Sequence, residues 1–233
     1  LSNSRVVTAV SAELARLAGE NLPIKLKPEV VYNGITDPAE VVVEAAPPYP
    51  QASGPFAVCV GTLKNYKGHD IALEAWNVLQ KRGVDLDLLI AGEGESRQEL
   101  AALAHKFNCD HHVYFLGAVP HNDALALVKN SQMYLMPSRN EGLGVALLEA
   151  AALERPIIAS DIPVFREIVT HEKEALLFPV GDSEALAAQV ERLAKDADLA
   201  KSLGRAARQR FLAVFSRKQM ADGYRQIYAA VTK

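Results

Sequence analysis

Two acidic residues, Glu141 and Glu149, stand eight positions apart in the run Glu141-Gly142-Leu143-Gly144-Val145-Ala146-Leu147-Leu148-Glu149. Gly142 and Gly144 expose backbone N–H groups where a helical period begins. The start of a helix is an anion site, because its first donors are unpaired and its dipole is positive there. A carboxylate at Glu141 suits a sugar, since it accepts hydrogen bonds from hydroxyls. Glu149 sits among Leu147, Leu148, Ala150, Ala151, Ala152 and Leu153. Glutamates mostly face water, and that reading stands for Glu149. These neighbours leave little room for a solvated face, and a buried charge is costly unless satisfied. A ligand-facing carboxylate is therefore an equal reading.

A second loop, Gly61-Thr62-Leu63-Lys64-Asn65-Tyr66-Lys67-Gly68, follows an apolar run. Its first glycine lets a ligand approach the backbone, and Lys64 and Lys67 can meet phosphate as point charges. On its own the loop reads as a glycine turn with two solvated lysines. Gly92 and Gly94 fall short of a dinucleotide fingerprint, which needs a third glycine at fixed spacing. His111 and His112 are expected to open a strand and so point to opposite faces. The other histidines have no partner at ligand spacing, and no metal is assigned. Cys59 and Cys109 lack paired spacing and read as buried, reduced thiols.

The elements that must carry these loops follow from periodicity. Short runs rich in branched residues alternate with helical segments. Strands are predicted over 5–10, 30–32, 56–60, 86–91, 112–116, 133–136, 156–160 and 176–178. Helices are predicted over 11–18, capped by Ser11, and over 70–81, 96–107, 122–130, 144–153, 163–169, 183–195 and 199–214. A last helix starts at Ser216, where Ser216 and Gln219 have capping-box spacing; its apolar stripe is Tyr224, Ile227, Tyr228 and Val231. The stretch 37–55 holds Pro38, Pro47, Pro48, Pro50 and Pro55 and reads as an exposed crossing segment. Strands apolar on both faces and joined by helices imply a parallel sheet covered on both sides. The fold class is therefore α/β: a doubly wound, Rossmann-like sheet whose ligand loops lie beyond the carboxyl ends of the strands. Residues 1–54 are expected to form a lead-in and linker, 55–215 the Rossmann-like domain, and 216–233 a C-terminal helix.

The 233 residues are 49% apolar and 23% charged, with a net charge of −3. No long run of one sign supports nucleic-acid binding through a basic face. No apolar run approaches the roughly 18 residues of a membrane span, and no signal peptide is visible. The opening Leu1-Ser2-Asn3-Ser4 lacks an initiator Met, as expected of a piece of a longer chain.

Glu141-Gly142-Leu143-Gly144 with Glu149 resembles the E-x7-E motif of retaining GT-B glycosyltransferases, family 4 in particular. The run 137–160 is similar to that family throughout. So are the loop 61–68, Ile90 to Gly94, Phe115-Leu116-Gly117 and Asn33-Gly34-Ile35, in the same order. The resemblance implies one half of a GT-B fold: the C-terminal domain that binds a nucleotide-diphosphate sugar, with no separate cofactor and no metal. The N-terminal acceptor-binding domain would be missing, so this chain alone would be inactive. The resemblance further implies that Lys67 contacts the donor diphosphate, with Gly61 and Thr62 beside it. Gly142, Leu143 and Gly144 would offer N–H groups to phosphate or sugar. Glu141, with Lys67 the catalytic pair, would hold sugar hydroxyls, and Glu149 the ribose. Thr62 stands where the family usually has an arginine; either Lys64 replaces its charge or the lineage manages with less. The enzyme would be a cytoplasmic hexosyltransferase; only the full-length protein would associate with the inner face of a membrane. A degenerate domain kept for interaction or assembly is the alternative, and a phosphorylase or epimerase on the same fold is a third reading.

Overall fold

The computed structural model describes residues 5–21, 27–40, 49 and 54–232. Six strands form one parallel sheet: β3 (Phe56–Val60), β4 (Asp87–Ala91), β5 (Val113–Gly117), β6 (Met133–Met136), β7 (Ile157–Ser160) and β8 (Leu176–Phe178). Their order is β5-β4-β3-β6-β7-β8, and every neighbouring pair is parallel. This is the doubly wound order, with the direction of winding reversing between β3 and β6.

Strand residues alternate between two buried clusters. Phe56, Val58, Leu89, Tyr134, Met136 and Ile157 face one side. Ala57, Cys59, Leu88, Ile90, Leu135 and Ile158 face the other. Both faces are apolar because both are covered. On the first face lie α4 (His121–Asn130), α5 (Val145–Ala152) and α6 (Pro163–Ile168). On the second lie α2 (His69–Lys81), α3 (Arg97–Lys106) and α7 (Ser183–Lys195). The stripe Ile71, Ala75 and Leu79 of α2 is buried there, and Trp76 donates from Nε1 to the Leu86 carbonyl at 2.9 Å.

The lead-in is more compact than the sequence implies. The strand expected over 5–10 is only β1 (Thr8–Ala9), paired in parallel with β2 (Glu29–Val30). The helix α1 (Ala12–Asn21) is capped as expected: the Ser11 hydroxyl accepts from the Leu14 N–H at 3.2 Å. The stretch predicted as an exposed crossing begins with buried residues. Pro38 opens a short 3-10 turn, and Asp37 is held by the Arg208 guanidinium. That contact joins elements far apart in the chain, which no local pattern reveals. Residues 41–48 and 50–53, with Pro47, Pro48 and Pro50, lie outside the described residues.

The helix predicted over 199–214 starts earlier, as α8 (Ala197–Arg210) with Asp196 as its cap. It ends in a π-helical turn, Phe211–Phe215. The wider turn brings Phe211 and Phe215 together in the core. Phe215 then meets Tyr32 edge-on at 5.1 Å between ring centroids. Ser216 caps α9 (Arg217–Val231), but the expected stripe is only partly covered, with Tyr228 66% exposed. His111 and His112 form a turn before β5 rather than opening it, and His112 Nδ1 lies 2.9 Å from an Asp87 carboxylate oxygen.

Gly68 shows how tightly the sheet's carboxyl edge is closed. Its φ is +69°, and a Cβ there would lie 1.9 Å from the Pro137 carbonyl oxygen. Gly68→Ala is expected to cost roughly 2–4 kcal/mol, from left-handed strain plus a backbone clash. Urea unfolding measures this, and an unchanged midpoint would contradict the close approach of the two loops.

Candidate functional site

The loops that follow β3 and β6 meet where the winding of the sheet reverses, the place at which open α/β sheets bind ligands. They line an open cleft of about 480 Å³. Gly61 and Lys67 come from the first loop, and Glu141, Gly142, Leu143 and Gly144 from the second. Val10 and Asn33 of the lead-in complete the rim. Six of the residues singled out in the sequence thus converge.

Lys67 Nζ lies 2.7 Å from Glu141 Oε1, and the Ser138 hydroxyl donates to the same oxygen at 2.8 Å. The Glu141 side chain is 9% exposed and that of Lys67 is 20% exposed. Each ion is held at the cleft with its charge partly balanced. A ligand carrying an anion and hydroxyls offers each a new partner.

Arg139 ties the two loops together. Its guanidinium grips both carboxylate oxygens of Asp70, at 2.8 and 2.6 Å, and donates to the Asn65 carbonyl at 2.7 Å. Its backbone N–H donates to the Tyr66 carbonyl at 2.7 Å. Burial raises the Asp70 pKa, but the hydrogen bonds and charge of Arg139 outweigh it, so the carboxyl stays below its ordinary value. This clamp brackets Lys67 in chain position and fixes it against Glu141. Neither Arg139 nor Asp70 is marked by its local sequence.

Gly144 begins α5 with φ +84°, and a Cβ there would press on the Phe165 ring at 2.8 Å. No side chain caps this helix. Among the described residues, the first-turn N–H groups of Val145 and Ala146 have no protein acceptor, and both residues line the cleft. Helix starts of this kind attract anions. Further along α5, the Glu149 side chain is 17% exposed. Burial raises its pKa, and the His121 charge opposes that rise. Its only polar partner among the described residues is His121 Nε2, 3.6 Å away. The solvated-face reading of Glu149 therefore fails. The side chain is half-buried, and among the described residues no donor hydrogen-bonds to it.

The lead-in is fastened to the rim. The Glu167 carboxylate of α6 accepts from the Ala12 and Glu13 N–H groups at 2.7 and 2.8 Å. Ser11 is fully buried, and its hydroxyl donates to the Gly142 carbonyl at 3.4 Å. Thr62 is exposed and not among the residues lining the cleft. Lys64, the candidate to replace the missing arginine, lines a separate hollow between α2 and α3 with His69 and Glu99. Among the described residues no group of acidic, histidine or cysteine side chains has metal-holding geometry. No helix among them is long and apolar enough to cross a membrane. Burial pushes the Cys59 thiol up to about 12 and the Cys109 thiol to about 11, so both are inert.

A doubly wound parallel sheet with an uncapped helix start and a paired lysine and glutamate at its reversal point defines an α/β domain with its candidate site at the carboxyl edge. Residues 48–210 match the glycosyl transferases group 1 family, and the chain belongs to that family. It is 32% identical over 205 residues to a glycogen synthase of Mycobacterium tuberculosis, covering 88% of this chain and 49% of that protein. It is 32% identical over 141 residues to an uncharacterised glycosyltransferase of Haemophilus influenzae, covering 60% of this chain and 39% of that one. The chain thus spans less than half the length of these two relatives. Anabaena HepE, solved in complex with UDP and glucose, superposes with a TM-score of 0.83 at 17% identity over 97% of this chain and 64% of that one. The fold is that of one Rossmann-like half of a GT-B protein.

His69 gives the site region an acid limit. It is buried, and loss of hydration and then the Lys67 charge push its pKa down to about 4 from 6.5. The unfolded chain therefore binds this proton more tightly than the folded one. Stability falls as pH drops from about 6.5 toward 4. Between pH 7 and pH 5, His69→Gln is expected to lose less stability than the wild type. Equal losses in paired urea titrations would refute it.

Proposed function

We propose that this chain is the donor-binding half of a retaining, family 4 glycosyltransferase that uses a nucleotide-diphosphate sugar. The observation that carries this reading is the convergence of Lys67, Glu141 and the uncapped start of α5 on one cleft. In this reading Lys67 and the N–H groups of Gly142, Leu143, Gly144 and the first turn of α5 meet the diphosphate. Gly61 lets it approach the backbone. Glu141 accepts from sugar hydroxyls. Glu149, half-buried and without a hydrogen-bond donor among the described residues, accepts from the ribose hydroxyls. As the anomeric carbon–oxygen bond breaks, its electron pair moves to the diphosphate. Fixed cationic and N–H groups then stabilise charge where it grows. An acceptor hydroxyl bonds the same carbon and passes its proton to the departing diphosphate. The acceptor is held by a further domain, which matches the share of its relatives that the chain spans. The UDP bound to Anabaena HepE supports a nucleotide donor.

Bound at 100 times its dissociation constant, the correct donor stabilises the folded chain by about 2.7 kcal/mol, a rise in Tm of roughly 5–10 °C at this size. A thermal-shift screen of nucleoside diphosphates and their sugars measures this. If no member shifts the transition, the donor reading is wrong. The exposed Thr62 and the displaced Lys64 favour a second reading, an assembly module without transfer activity. Glu149→Ala in the complete protein separates them. Loss of charged hydrogen bonds lowers transfer by about tenfold or more, whereas a module shows no dependence on Glu149.

A further inference from the structure

The turn that ends α5 borders a second hollow, at the sheet edge opposite the cleft. Glu154 turns the chain with φ +57°. Its N–H donates back to the Ala151 carbonyl at 3.1 Å, and the Arg155 N–H donates to the Ala150 carbonyl at 3.0 Å, which closes the helix. Gly204 of α8 packs on this turn at backbone distance, since a Cβ there would lie 2.2 Å from the Glu154 carbonyl oxygen. A hollow of about 280 Å³ lies between the turn and the helices α7 and α8. Gln132 and Pro156 line it and stand just before β6 and β7, which places it at the amino edge of the sheet. Its chemistry is two-sided. Pro156, Leu193 and Ala197 give it an apolar wall. Arg155 gives it a fixed cation: the half-buried guanidinium donates from Nε to the Leu153 carbonyl at 3.2 Å and from Nη1 to the Ser131 carbonyl at 3.4 Å. A guanidinium has five N–H donors, so most of them remain free. Among the described residues no carboxylate pairs with Arg155. A half-buried cation held only by neutral carbonyls lacks a counter-charge. Lys201 of α8 lines the same hollow and has no partner among the described residues. Glu154 on the rim offsets one of the two positive charges. The surplus is a single charge, which one carboxylate balances and a phosphate dianion exceeds.

We propose that this hollow is a second ligand site, one that binds a small organic carboxylate, with the anionic group on Arg155 and Lys201 and a compact apolar body on Pro156, Leu193 and Ala197. A planar guanidinium matches a carboxylate with two parallel hydrogen bonds. The site stands at the far end of α5 from the cleft and does not depend on the donor reading.

Benzoate is the probe, because it joins one carboxylate to a compact apolar ring; acetate and benzyl alcohol carry the two halves separately. Proton–nitrogen NMR of the chain follows each titration at neutral pH. Benzoate shifts the Arg155 Nε–H and the Ala197 and Lys201 amides and saturates with a Kd in the millimolar range, about what a ligand of so few atoms reaches. Acetate and benzyl alcohol bind about tenfold more weakly or less. Arg155→Gln weakens benzoate by about tenfold, through the loss of charged hydrogen bonds. Two further variants keep the test decisive if Arg155→Gln does not fold. Ala197→Phe, at the exposed start of α8, fills the hollow without removing a charge and abolishes binding. Lys201→Gln removes an exposed cation and weakens binding by roughly two- to fivefold. The proposal is overturned if benzoate does not saturate, if benzyl alcohol binds as tightly as benzoate, or if folded Ala197→Phe binds as the wild type does. Shifts confined to Val145 and Ala146 of the cleft overturn it as well.

Discussion

The closure of two loops over the carboxyl edge of the sheet is the constraint on which the site depends. Parallel strands leave their ends open where winding reverses, and the chain must bring two unrelated loops together there. It does so at backbone distance. Gly68 admits the Pro137 carbonyl where no side chain fits. Arg139 spans the same gap with a two-pronged grip on Asp70 and bonds to the Asn65 and Tyr66 carbonyls. Only with this seam closed do Lys67 and Glu141 meet at 2.7 Å. An isolated lysine and glutamate at the surface would gain little from pairing. Here the backbone meets the cost of holding them in one geometry.

The opposite rim is built from distant chain. Glu167 of α6 caps α1, and Arg210 of α8 donates to the Glu167 and Ile168 carbonyls behind it. Ile35 bonds to both sides of Ser216, with its N–H to the Phe215 carbonyl and its carbonyl to the Arg217 N–H. A Cβ at Gly34 would strike Ser216. The lead-in is therefore part of the same packed body as the cleft it borders. Val10 and Asn33 line that cleft because these ties hold them there.

Much of the fold was legible because its signals are local. The runs 56–60, 133–136 and 176–178 are strands with the predicted ends, since buried parallel strands are continuous in apolar residues. Lys67, Glu141 and Gly142 to Gly144 were legible by type, being charges and glycines beside apolar runs. Arg139, Asp70 and Glu167 were not, because each acts through a partner that is distant in sequence. Lys64 misled for the opposite reason. Two lysines in one loop look equivalent, yet a 3-10 turn sends them to different surfaces. The π-turn at Phe211–Phe215 was hidden because its apolar spacing fits an ordinary helix until the core rotates it.

Helix α5 has a further consequence. Gly144 at its head and Glu149 within it are five positions apart, which is about 7.5 Å along a rigid helix. In the donor reading the helix is thus a ruler: it would set the distance between an anion at its head and hydroxyls at its side. It also sets their phase, because each residue turns the axis by about 100°. Inserting or deleting a single residue between them would swing the carboxylate a quarter-turn or more from its partner. The length of this segment is therefore as much a part of the site as its side chains.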